Sequence, residues 1–139
     1  MFKSLSPNFM VPDVNAAVKY YVENFEFEYE HGVDGDMKQI MDYSSTKLMW
    51  AMVQKNNVKL MLQSKESFTG ELQLMKDREI GATVSMYIEV EDVAETFAMV
   101  KDKVEIVKEI YKTPYGNEEF IVKDLNGYIL YFAETKMMV

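Results

Sequence analysis

IVKDLNGYILYFAE, residues 121–134, reads as two strands joined by a tight Gly-containing turn. The same pattern stands earlier in the chain. WAMVQKNNVKLM (50–61) overlies FIVKDLNGYILY (120–131) at a displacement of 70 residues. A second match precedes it: VPDVNAAV (11–18) overlies VEDVAETF (90–97) at a displacement of 79. Two matches in the same order mark an internal repeat, where one could be accidental.

The elements between these anchors follow from periodicity. SLSPNFMV (4–11) suits a strand, with Pro7 favouring its beginning or a sheet edge. Asp13 is placed to cap a helix whose apolar face is Val14, Ala17, Val18, Tyr21, Val22 and Phe25. FEFEYEH (25–31) alternates as a half-exposed strand, and HGVDGD is a turn carrying His31. KLMWAMVQ (47–54) and VKLMLQS (58–64) form a hairpin across KNN, and 69–77 carries one short helix. The order then restarts: TVSMYIEV (83–90) is a strand, Asp92 and Glu95 form a capping box, and Val93, Phe97, Val100 and Val104 mark a helix face. VEIVKEIYK (104–112), the turn TPYGN and the final hairpin complete it. The expected fold is α+β, with two tandem βαβββ modules. Module one spans about residues 1–66 and module two about 80–139, and the two fold together as a single domain over 1–139.

Composition narrows the function. A formal net charge of −8 argues against nucleic acid, whose phosphates select Lys and Arg clusters. The absence of cysteine removes disulfides, thiolate metal sites and cysteine nucleophiles. A single histidine, His31, excludes a multi-histidine metal cluster. No apolar run reaches the ~20 residues of a membrane span, and the N-terminus lacks a signal-peptide core, so the expected location is the cytoplasm. No glycine loop suits a phosphate and no acidic spacing suits an EF-hand.

The two modules, with FMVPDVNAAVKYYVENFEFE at the start and TPYGNEEFIVKDLNGYILYFAE at the end, resemble the vicinal oxygen chelate superfamily. Its members include glyoxalase I, extradiol dioxygenases, and the fosfomycin- and bleomycin-resistance proteins. Leu125 stands where that family's last turn usually has Pro. The resemblance implies that each module curls its sheet into a cup with helices outside. It also implies a metal held between the cups by His or Glu from four strands. The matching positions here are Ser6, Met61, Ser85 and Tyr131. Hydroxyls, a thioether and a phenol are poor ligands for a divalent ion. A two-residue slip would offer Asn8, Gln63, Tyr87 or Glu89, and Ala133, which is one carboxylate at most. No metal and no cofactor are therefore expected.

Alternation of side chains then predicts what faces the cup. Asn8, Ser85, Tyr87 and Glu89 come from the first strands, and Trp50, Met52, Met61 and Gln63 from the first hairpin. Phe120 and Tyr131 come from the last hairpin. Leu60, Leu62, Leu130 and Phe132 face the helices. Such a wall suits an apolar or aromatic ligand, with Glu89 available to a cation. The leading expectation is a metal-independent small-molecule-binding protein, similar to the bleomycin-resistance branch and homodimeric as that branch is. The alternatives are a lyase or isomerase using a displaced metal or metal-free acid–base catalysis, with Glu89 and Tyr87 as candidates, and a module whose wall is closed by another protein.

Overall fold

The computed structural model describes residues 1–135. The chain divides into two compact units, Met1–Ile80 and Gly81 onward. In the first, β1 (Asn8–Val11) leads into α1 (Val14–Phe25), then β2 (Glu28–Asp34), β3 (Gln39–Ile40), β4 (Leu48–Lys55), β5 (Val58–Ser64) and α2 (Lys65–Glu71). In the second, β6 (Ser85–Glu89) leads into α3 (Val93–Val100), then β7 (Glu105–Lys112), β8 (Glu118–Lys123) and β9 (Ile129–Glu134). The first sheet runs β1-β5-β4-β2-β3 and the second β6-β9-β8-β7. Each is mixed: β1 is parallel to β5, β6 is parallel to β9, and the remaining pairs are antiparallel. The α+β architecture stands as expected, and the βαβββ order recurs in both units with one unexpected addition, the two-residue β3 of the first.

Both module helices start where the sequence says. Asp13 accepts from the Ala16 N–H and Asp92 from the Glu95 N–H, each at 3.0 Å. These bonds satisfy donors that have no partner inside the helix. Helix α1 buries Val14, Ala17, Val18, Tyr21 and Phe25. They lie against the face of β4 and β5 that holds Ala51, Val53, Leu60 and Leu62, all almost fully buried. Each buried Val or Leu among them contributes about 1.5–3 kcal/mol by leaving water. In the second unit α3 buries Val93 and Val100, and Phe97 meets Phe120 edge-on at 5.1 Å. Phe120 in turn stacks on Phe132 at 5.1 Å.

Several boundaries differ from the sequence reading. Strand β1 begins only at Asn8, because Pro7 has no N–H to give and contributes its carbonyl alone, to Met61 N. Helix α1 runs through Phe25 and stops at Glu26, whose φ of 59° is left-handed, so β2 starts three residues later than expected. His31 consequently lies in β2 opposite Met52, not in a turn. Gly32 permits that pairing: a Cβ there would lie 2.7 Å from Trp50 O and 2.8 Å from the Tyr29 hydroxyl. The short helix expected over 69–77 lies at Lys65–Glu71, capped by Ser64, with a 3₁₀ turn at Gln73–Met75 behind it. Asn15 holds the connection before β4, donating to the carbonyls of Tyr43 and Thr46 and accepting from Leu48 N.

The register of the last hairpin carries the main correction. The parallel pairs obey the repeat: Asn8 lies opposite Met61, and Tyr87 opposite Tyr131. The hairpins do not. Lys55 pairs with Val58 across two residues, whereas Lys123 pairs with Ile129 across five. Matching the last strands at the displacement of 70 leaves β8 one residue short of it. Glu119, opposite Ala133, therefore takes the place that Trp50 holds opposite Gln63. A slip of one residue moves a side chain to the other face. Phe120, expected on the face of Tyr131, pairs instead with Phe132 under α3 and is fully buried.

Candidate functional site

The face of the second sheet opposite α3 gathers its polar chemistry around Glu119. This side chain is 3% exposed, and both carboxylate oxygens are occupied. Tyr87 of β6 donates its hydroxyl to Oε2 at 2.7 Å, and Tyr111 of β7 donates to Oε1 at 2.6 Å. Strand pairing sets this up: Tyr111 lies opposite Glu119 across β7–β8, and Tyr87 lies beside Tyr131 across β6–β9. The Tyr87 and Tyr131 rings are 6.1 Å apart. Lys108 places its Nζ 3.9 Å from the centre of the Tyr111 ring.

The bond to Glu119 pushes the Tyr87 phenol up to about 12, with burial adding to it, while the Asn117 side chain pulls the other way. Burial raises Tyr111 further still, and its bond to Glu119 adds to that. Both hydroxyls therefore stay protonated at neutral pH. They can donate hydrogen bonds, but they are poor proton abstractors. Glu89, read from sequence as a desolvated base or cation partner, is exposed at the end of β6. The buried carboxylate on this face is Glu119, which the sequence reading missed because the longer turn shifts its face. Ser85 is also exposed.

The first unit builds a different face. Trp50, Met52, Met61 and Gln63 lie together through the pairs Trp50–Gln63 and Met52–Met61, with Asn8 next to Met61. The Trp50 ring meets the His31 ring at 5.1 Å. Gln63 is buried and fully engaged: its Oε1 accepts from Asn8 at 2.8 Å, and its Nε2 donates to Ser67 and Glu71 at 2.9 and 3.1 Å. Asn8 Oδ1 is shielded from solvent and has no hydrogen-bond partner among the described residues. The expected binding residues thus divide into one group on each sheet, with Phe120 excluded from its own.

Residues 5–132 match the Glyoxalase/Bleomycin resistance protein/Dioxygenase superfamily. The chain belongs to this superfamily. Solved structures with its fold include TioX from Micromonospora sp. ML1, 19% identical at a TM-score of 0.68, covering 96% of this chain and 98% of that one. A superfamily member from Sphaerobacter thermophilus DSM 20745 is 16% identical at a TM-score of 0.73, covering 97% and 98%. The bleomycin-binding protein of bleomycin-producing Streptomyces verticillus, solved with copper(II)-bleomycin, is 21% identical at a TM-score of 0.63, covering 98% of each chain. At these identities the likeness concerns the fold. A comparison with curated proteins finds no match.

Within this glyoxalase/bleomycin-resistance fold, the metal positions implied by the resemblance do not fit a divalent ion. They are Ser6, Met61, Ser85 and Tyr131: two neutral hydroxyls, a thioether and a phenol. Among the described residues, no group of three or more His, Cys, Asp and Glu is arranged to hold one. Among the same residues, no helix is long and apolar enough to cross a membrane.

Proposed function

We propose that this superfamily member is a metal-independent binding protein for a small apolar or aromatic molecule, acting in the cytoplasm as a homodimer. The observation that carries this reading is Asn8 Oδ1, a solvent-shielded acceptor with no donor among the described residues. Leaving such a group unpaired costs about 1–3 kcal/mol, which a ligand N–H or O–H would recover. Around it stand half-buried Trp50, Met52 and Met61, an aromatic and adaptable surface of the sort that binds small molecules. The side-chain amide of Asn8 is already oriented by Gln63. The Streptomyces verticillus relative binds copper(II)-bleomycin, which makes antibiotic sequestration, and hence resistance, one role this chain could serve.

A thermal-shift screen of aromatic, cationic and glycopeptide compounds tests the reading, run with and without a chelator. A ligand for the folded state at ~100 times its Kd stabilises by about 2.7 kcal/mol. The expected result is a shift from at least one class, unchanged by chelator and reduced in Asn8→Ala. A screen in which no class shifts the transition, or in which chelator abolishes every shift, would sink it.

A further inference from the structure

We infer that the face of the second sheet formed by Tyr87, Tyr131, Tyr111 and Glu119 is a recognition site for an organic ammonium group. The inference rests on the ligand-binding reading above and deepens it by assigning the ligand a charge. A nearly water-free carboxylate is ordinarily matched by a cation. Glu119 has none: its partners are two neutral phenols, and neither oxygen meets a Lys, Arg or His in an ion pair among the described residues. Each carboxylate oxygen accepts a single hydrogen bond, so the charge is held in place but not neutralised.

The same phenols turn this charge outward. Tyr87 is 50% exposed, Tyr131 is half-buried, and their rings stand side by side at 6.1 Å. Tyrosine faces carry the negative side of the ring quadrupole, which attracts alkylated ammonium groups. Glu119, accepting from the Tyr87 and Tyr111 hydroxyls, makes those two rings more electron-rich and adds its own field. A cation seated on the rings therefore need not reach Glu119 itself.

An independent observation points the same way. The chain already seats an ammonium of its own on this face, the Lys108 Nζ 3.9 Å from the Tyr111 ring centre. The other lysine on the face, Lys123, is occupied by Glu105 at 3.3 Å. Tyr87 and Tyr131 have no such cation over them among the described residues and face the same field. Glu89, exposed on the same strand as Tyr87, adds a second negative charge.

Titration calorimetry with benzyltrimethylammonium and with neutral benzyl alcohol tests this on the full chain. The expected result is that the ammonium binds about tenfold tighter than the alcohol, and that Glu119→Gln removes most of the preference. Tyr87→Leu, at a half-exposed position where folding is safe, should reduce the preference about two- to fivefold and serves if the buried substitution disturbs the fold. Alcohol binding as tightly as ammonium overturns the inference and leaves the binding reading standing. So does a preference that survives both substitutions. If neither probe binds and the aromatic screen above is also blank, both readings fall.

Discussion

Glu119 controls the chemistry of its neighbours more than its own. Because it accepts from Tyr87 and Tyr111, it favours the protonated phenol in each, and the effect on stability has a definite sign. In the unfolded chain a tyrosine ionises near ~10. Folded Tyr87 holds its proton to about 12. Between those values the native state binds more protons than the unfolded state, so stability falls as pH rises through that window and is complete below it. An alkaline titration followed by tyrosinate absorbance should contain a late component to which Tyr87 and Tyr111 contribute. Tyr87→Phe or Tyr111→Phe should each shrink the late component, and Glu119→Gln should bring Tyr87 back toward its ordinary value. Circular dichroism on the same samples marks where the fold is lost. All tyrosines ionising together while the protein is still folded would refute the network.

At the scale of elements, the turn between β8 and β9 decides which residues the second unit presents. Asp124 builds it. The carboxylate is 4% exposed and accepts from Asn126 N at 2.8 Å and Tyr128 N at 2.9 Å, and its own backbone pairs with Tyr128 and Gly127. Gly127, at φ 90°, takes the left-handed position the turn requires. Asp124→Ala leaves two backbone donors without their acceptor and should cost about 1–3 kcal/mol, with Asp124→Asn costing less because it keeps a carbonyl. Urea unfolding measures both. A loss under about 0.5 kcal/mol for the alanine variant, the level of an ordinary surface change, would show that the carboxylate does not hold the turn.

This turn also explains what could be read from sequence. The Asp13 and Asp92 caps and the face of α1 follow from periodicity and are in place, whereas Val104, read as part of the second helix face, lies beyond the end of α3 at Val100. Turn length is not periodic. KNN and LNG coincide when the hairpins are aligned without a gap, yet two residues separate the paired strands in the first and five in the second, and that difference exchanges Phe120 for Glu119 on the face opposite α3. Ser64 caps the helix at Lys65–Glu71, a start that the mixed polarity of 65–80 hid from the sequence reading. Asn15 gives no pattern at all, because its partners Tyr43, Thr46 and Leu48 are some thirty residues away.

At the scale of the whole molecule, exposed apolar surface meets a strong net charge, and the two make opposite demands on association. Phe2 and Leu5 are 100% and 88% exposed, and Val84 ahead of β6 is 63% exposed. β1 and β6 each stand at the edge of their own sheet, where unpaired backbone groups invite another strand. These features favour a second copy. The net charge of −8 opposes it, because pairing two copies doubles the charge held in one particle. Salt screens that repulsion over a Debye length of ~10 Å at 0.1 M while leaving apolar contacts intact. Light scattering across a protein concentration series should therefore give a dimer whose dissociation constant falls as salt is added. An interface made of ion pairs would weaken with salt instead, which would assign the contact to charged residues rather than to Phe2, Leu5 and Val84. A monomer at every concentration and salt would remove the homodimer from the proposed function while leaving the Glu119 site, which lies wholly within one unit, intact.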